Sequence, residues 1–210
     1  MIAANHFGSL SSRRFVCIAL SVMLLLVAII LRHPLTRTMA LHMLVHIPLV
    51  VAAGALAARG LESHGRNRPT GPASKALAVY RRFDEYGVPG LLLASFAGAF
   101  WMIPRALDEV LSSPYADAWK FISLFAIGLV LRDALARAKP VIRLFFLGNF
   151  CWMAAVVGIV YQNIPSRLCN FYLASDQQVA GMGLVALSVL LPLAWLLAAW
   201  RRVRVFLRDT

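Results

Sequence analysis

Two histidines four residues apart are the clearest chemical feature of this sequence. His42 and His46 lie in an apolar stretch, and on a helix this spacing places both imidazoles on one face. Met39 and Met43 continue the same spacing of three and four, so their thioethers share approximately that face. Imidazole and thioether together suit copper, and thioether favours Cu(I). The pattern predicts either a metal site or histidines that only hydrogen-bond to neighbouring helices.

A second polar group stands at the start of the last apolar block. Asp176, Gln177 and Gln178 precede this block, and Met182 follows about one turn later. Asp176 can cap a helix and complement its dipole, but capping does not account for two adjacent glutamines. We therefore expect Asp176, Gln177, Gln178 and Met182 to support a metal site or to contact a client protein.

The composition identifies the elements that must position these residues. The chain has 210 residues, of which 60% are hydrophobic and 14% are charged, whereas a soluble domain is usually nearer half apolar and a quarter charged. The apolar residues form long blocks, as in transmembrane helices. We predict an all-α transmembrane helical bundle, a single domain over 1–210, with about six spans at 15–31, 39–58, 88–103, 119–135, 144–161 and 179–200.

The fourth span and the polar segment between the second and third spans need separate treatment. Only 11 residues separate Lys120 from Arg132, so the fourth span crosses only if both side chains extend outward along the helix. The polar segment 59–86 is predicted to be a loop, with a short surface helix near 74–83.

The distribution of Lys and Arg predicts the orientation. Sixteen of the 21 Lys and Arg residues fall in the two tails and in the second and fourth loops, and five fall in the other loops. The positive-inside bias then places both termini and loop 59–86 in the cytoplasm of a bacterial-type inner membrane. The histidine pair lies in the outer leaflet. Because basic residues flank apolar blocks and form no stripe, they favour anionic lipids as partners and exclude nucleic acid.

Several chemistries are disfavoured. The sequence has no GxGxxG, P-loop, HExxH or GxSxG motif, and the adjacent carboxylates at 84–85 and 108–109 resemble solvated charges. We expect no enzymatic turnover. A bis-imidazole haem normally needs histidines from two facing helices, so no haem is expected. No charged residue lies deep in a clear span, which weighs against a permease.

Three segments, in matching order, resemble the multi-span CtaG-type cytochrome oxidase assembly factors, and the likeness covers roughly 39–200. The segment 42–48 (HMLVHIP) is similar to the family's HMLLHxxxP-like signature, and 176–182 (DQQVAGM) is similar to its DQQLGGLLM-like start of a late span. The segment 100–104 (FWMIP) stands where the family has an FW…HxP motif. The family's histidine before this proline is absent here, with Met102 the nearest soft donor, and 119–135 contains no histidine.

The resemblance implies a membrane protein that helps to assemble a haem–copper terminal oxidase or another copper membrane enzyme. Copper would be held transiently at the outer face by His42 and His46, aided by Met39, Met43 or Met102. The missing family histidines leave a second function open, a permanent accessory subunit of a respiratory or other membrane complex. The expected partners are subunits of the terminal oxidase or of another membrane enzyme.

Overall fold

The computed structural model describes residues 3–61 and 83–208, and all regular secondary structure in these residues is helical, which confirms the predicted all-α class. The short helix predicted near 74–83 and most of loop 59–86 lie outside the described residues. The helices are α1 (Ala3–Ile30), α2 (Arg32–Leu35), α3 (Met39–Leu61), α4 (Val88–Trp101), α5 (Pro104–Ser112), α6 (Pro114–Arg137), α7 (Pro140–Asn163) and α8 (Ala174–Arg208).

Proline starts three successive helices. Pro104, Pro114 and Pro140 each occupy the first position of their helix, where the missing N–H has no intrahelical acceptor to lose and the fixed φ angle is already helical. The segment expected to be a loop between the third and fourth spans therefore contains α5, which buries Ala106, Leu107 and Val110. For the same reason α6 begins at Pro114 and not near 119.

Within the described residues, four helices are long and apolar enough to cross a membrane, namely α1, α3, α7 and α8. Helices α4 and α5 are bent by 72° at their junction and would form a fifth span if they act as one unit. Helix α6 has 24 residues but is not among these candidates. The structure therefore supports a membrane helical bundle with four or five candidate spans, and the count of six stays a prediction.

Glycine allows the main helix pairs to approach closely. Helix α3 lies between α1 and α6, and a Cβ atom on Gly54 of α3 would overlap the carbonyl oxygen of Phe125 in α6. Gly158 and Gly181 face each other between α7 and α8, where a Cβ on either would lie 2.7 or 2.6 Å from the other's carbonyl oxygen. A Cβ on Gly183 would overlap Cδ1 of Leu44 in α3, and small residues of this kind commonly allow close packing between membrane helices.

Side-chain contacts define two ends of the bundle. At one end the C-terminal parts of α1, α4 and α7 meet the N-terminal parts of α3, α6 and α8. We call this the histidine end, because His42 and His46 lie there. At the opposite end the turn before α4 contacts the C-terminal part of α6 through Asp84 and Arg137. We call this the Asp84 end.

Candidate functional site

The histidines lie in a widened turn of α3. His42–His46 is a π-helical segment, in which the Ile47 N–H bonds to the His42 carbonyl oxygen five residues earlier. Pro48 supplies the physical reason, because proline lacks an N–H and its ring collides with the carbonyl four residues before it in an α-helix. The two rings stay adjacent, with centroids 5.5 Å apart. Sequence analysis assumed regular α-helical spacing, and Pro48 was the signal that this spacing is interrupted. Such π-helical turns occur frequently at functional sites.

Both ring nitrogens of His42 have partners. Nδ1 lies 2.8 Å from the Tyr172 hydroxyl, and Nε2 lies 3.3 Å from the Lys120 ammonium. The Tyr172 hydroxyl is also 3.1 Å from the carbonyl oxygen of Thr36, which can only accept. Tyr172 therefore donates to Thr36 and accepts from His42 Nδ1–H. The remaining lone pair, on Nε2, accepts from Lys120.

A buried ion group continues from Lys120. Its ammonium lies 2.9 Å from a carboxylate oxygen of Asp117, whose other oxygen is 2.9 Å from Arg32. The Lys120 side chain is fully buried and that of Asp117 is 8% exposed. Lys120 therefore does not extend outward along the helix, which was the condition set for the fourth span to cross. The spacing of three on α6 lets Asp117 compensate Lys120 inside the bundle, which makes an inward ammonium tolerable.

His46 differs from His42 because one of its nitrogens has no partner. Nε2 is 3.2 Å from the Ala28 carbonyl oxygen, so Nε2 carries the hydrogen and donates it. Nδ1 then carries the lone pair, and it is buried without a hydrogen-bond partner among the residues that the structure describes. A histidine that binds a metal commonly donates its other N–H to a carbonyl or carboxylate in this way. Of the two histidines, His46 has the donor atom available.

The predicted sulfur donors gather in one core cluster at the histidine end. Met39 and Met43 are buried in it with Cys169, and Met102 packs against it. Tyr172 belongs to the same cluster and connects it to His42. Within 3–61 and 83–208, however, no group of three or more His, Cys, Asp or Glu side chains is arranged to hold a metal. The donor set consistent with a soft metal is therefore His46 with thioethers, because Lys120 occupies the lone pair of His42.

Cys169 is a poor thiolate candidate in this arrangement. It is buried, and its thiol donates to the Pro104 carbonyl oxygen at 3.4 Å. Burial, together with the neighbouring charge and hydrogen bond of Asp108, raises the pKa of Cys169 to about 12. The thiolate is the form that binds metals, so Cys169 stays protonated at neutral pH.

The four residues predicted around the start of α8 separate in the structure. Gln177 is buried, where its Oε1 accepts from the Leu168 N–H at 2.9 Å and its Nε2 donates to the Tyr161 carbonyl oxygen at 3.1 Å. Gln177 therefore fastens the loop between α7 and α8 and does not contact the histidines. Asp176 is partly buried, Gln178 is exposed, and Met182 is 53% exposed. Contact of these residues with a client protein stays a prediction.

Sequence reasoning missed several residues at the histidine end. Asp108, expected to be a solvated charge, accepts from the Asn170 N–H at 2.7 Å and from the Phe171 N–H at 3.4 Å, and so holds the same loop. Lys120 and Arg32 were expected only as charges flanking spans, and Asp117 was not singled out. For Asp117 and Lys120 the available signal was opposite charges three residues apart at the edge of an apolar helix. Nothing in the sequence signals the partners Thr36 and Tyr172, because 136 positions separate them.

Comparison of the chain with family models, with curated proteins and with solved structures gives no match, so the likeness to CtaG-type assembly factors stays a sequence-based expectation.

Proposed function

We propose that this protein is a six-span inner-membrane protein without turnover chemistry, which assists the assembly or copper maturation of a haem–copper oxidase or of another copper membrane enzyme. One observation carries the proposal: the buried Nδ1 of His46, which has no partner among the described residues and belongs to a ring whose other nitrogen donates to a carbonyl. A buried acceptor without a partner costs about 1–3 kcal/mol. A transient ligand would supply the missing interaction.

The arrangement of helix ends supports the six-span topology. Helices α1, α4 and α7 reach the histidine end with their C-terminal parts, and α3, α6 and α8 begin there. This alternation is what six antiparallel crossings with both termini on one side require. In combination with the positive-inside bias it supports an outer-face location of the histidine end. A copper-handling site at that face is accessible to an enzyme matured there.

The donors of the proposed site have different roles. His46 supplies a neutral imidazole nitrogen, while Met39, Met43 and Met102 supply thioethers that favour Cu(I) over harder cations. The Lys120 ammonium lies beside His42 and occupies the lone pair of its Nε2, which opposes a second metal contact at that ring. Copper is cargo in this proposal, and a site with few strong ligands is suited to releasing it.

The test measures copper per chain in detergent-purified protein after Cu(I) loading and desalting. We expect His46→Leu to lower retained copper by roughly tenfold or more, since removing even a partner of a metal ligand has effects of that size. We expect His42→Gln, which keeps a donor and an acceptor, to stay close to the native protein. Met43→Leu should lower retention, whereas Met23→Leu, on the exposed face of α1, serves as the matched control.

Two results would contradict the proposal. Equal copper retention in the native protein and in a folded His46→Leu variant would remove the metal site. A deletion strain whose oxidases keep normal copper content and activity would remove the assembly function, whatever the purified protein binds.

A permanent accessory subunit is the second candidate, and the His42 hydrogen bonds favour it. They join α3 to α6 and to the loop before α8. Such contacts stabilise the bundle, which is what a permanent subunit of a complex requires. Constant one-to-one co-purification with the finished enzyme would support this function. An assembly factor should instead be found with immature forms only.

A further inference from the structure

An elongated apolar cleft runs between five helices of the bundle. Its volume is about 360 Å³, it is partly open to the surface, and its walls come from α3, α4, α6, α7 and α8. Along α4 the lining residues extend from Leu91 to Trp101, a distance of about 15 Å at about 1.5 Å per residue. The cleft therefore follows the bundle from the histidine end toward the Asp84 end.

The polar groups of the cleft are few and unequally placed. Apart from the Trp101 indole, only Ser95 and Arg143 among its lining side chains are polar, and the Ser95 hydroxyl already donates to the Leu91 carbonyl oxygen at 2.9 Å. Arg143 stands in the first turn of α7, near the Asp84 end. Its Nε donates to the Ala138 carbonyl oxygen at 2.8 Å, and its two terminal nitrogens have no partner within the part of the chain that the structure describes.

From this geometry we propose that the cleft binds one acyl chain of an anionic phospholipid, whose phosphate is held by the Arg143 guanidinium. The apolar walls match a hydrocarbon chain, and a guanidinium with both terminal nitrogens available matches two phosphate oxygens. Positive-inside orientation places Arg143 in the cytoplasmic leaflet, where anionic lipids attract basic side chains. The site is independent of copper handling at the histidine end.

The experiment is native mass spectrometry of delipidated protein titrated with dioleoyl phosphatidylglycerol or dioleoyl phosphatidylcholine. We expect one phosphatidylglycerol to bind more tightly than phosphatidylcholine. Arg143→Gln should weaken phosphatidylglycerol binding roughly fivefold, as expected for one basic residue at an anionic lipid surface. It should weaken phosphatidylcholine binding less, because the choline cation already offsets the charge of the phosphate. The matched control is Arg59→Gln, which changes an exposed arginine in the last turn of α3.

A second pair of variants tests the chain-binding part of the cleft. Ala94→Phe fills the lining of α4 and should abolish the specific binding of both lipids, whereas Ala126→Phe, on the exposed face of α6, should not. Equal effects of Arg143→Gln and Arg59→Gln would overturn recognition of the phosphate. Unchanged binding to folded Ala94→Phe would overturn the placement of the chain. A dimer that Ala94→Phe dissociates would assign the cleft to a second copy and would likewise overturn the proposal.

Discussion

Each end of the bundle contains a buried group of charges, and the two groups are built differently. At the Asp84 end, Arg137 bonds to the carboxylate and carbonyl oxygens of Asp84 at 2.8 and 2.6 Å and to the Asp133 carboxylate at 2.6 Å. These contacts join the turn before α4 to the last turns of α6. At the histidine end, a continuous series of contacts joins α2, α3, α6 and the loop before α8; its members are Arg32, Asp117, Lys120, His42, Tyr172 and Thr36.

The difference separates a structural clamp from a candidate site. The Asp84 group fixes one turn, and Gly87 in that turn has a φ of 73° and lies so close to α6 that a Cβ would overlap the Ala134 carbonyl oxygen. The histidine group extends over four segments and lies beside His46, whose Nδ1 has no hydrogen-bond partner among the described residues. Burying charge carries a desolvation cost wherever it occurs. At the histidine end the buried charges therefore lie next to an imidazole nitrogen that could accept a ligand.

The largest expected effect is on stability at the Asp84 end. Arg137→Gln leaves the fully buried Asp84 carboxylate without its guanidinium, and breaking such a pair from one side costs about 3–5 kcal/mol. Unfolding in detergent should occur at a clearly lower temperature, while copper retained per folded chain should not change. Arg37→Gln, at an exposed arginine, provides the control. A loss of copper in folded Arg137→Gln would show that the Asp84 end also affects metal binding. The distinction between a structural group at that end and a metal site at the histidine end would then fail.

Lys120→Met should affect both stability and metal binding. Removing the ammonium takes away a charged hydrogen bond to His42 worth about 1.5–3 kcal/mol, while Asp117 keeps Arg32 at 2.9 Å. The lone pair of His42 Nε2 also becomes available, so retained Cu(I) should rise above the native value. Thermal unfolding and copper per chain measure the two effects, with the exposed Lys139→Met as control. Lower copper retention in folded Lys120→Met would show that His42 does not act as a reserve donor.

Tyr172→Phe should have a smaller effect that is confined to the histidine end. The change leaves the N–H of His42 and the carbonyl oxygen of Thr36 without their shared partner. An unsatisfied buried group costs about 1–3 kcal/mol, and the lowered unfolding temperature should reflect it. Tyr115→Phe, at a tyrosine that is 89% exposed, should change nothing. Equal unfolding temperatures for the two variants would mean that the Tyr172 hydroxyl contributes no stability.

The last expected effect is a dependence of stability on pH that appears only in alkaline solution. The pKa of Cys169 is raised from 9.0 to about 12 in the folded protein, so between these values the unfolded chain releases a proton that the folded chain keeps. The Cys169 contribution is complete below about pH 9 and is lost as the pH rises toward 12. Unfolding temperatures measured across this range should fall less steeply for Cys169→Ala than for the native protein. Parallel pH profiles would remove the linkage.

Periodicity and composition predicted the parts of the fold that depend on local sequence. Long apolar blocks predicted the helices. The positions of charged residues in the sequence predicted less about the fold. The direction in which the Lys120 side chain points depends on partners in other segments, such as His42. The same limit applies to Asp108, whose carboxylate binds amides about 60 positions later in the chain. Pro48 contained the signal for the π-helical turn, but a proline by itself does not specify how a helix adjusts to it.

The sequence by itself determined an apolar helical chain with imidazole and thioether groups near one end of its second apolar block, because these properties follow from residue type and helical spacing. Only the tertiary structure decided which of those groups is available. His42 is engaged by Tyr172 and Lys120, which lie 130 and 78 positions away, while His46 meets the Ala28 carbonyl with one nitrogen and leaves the other without a partner in the described residues. The sequence does not distinguish the two histidines as candidate ligands. They differ in the structure because packing between helices determines which hydrogen-bond partner each ring nitrogen meets.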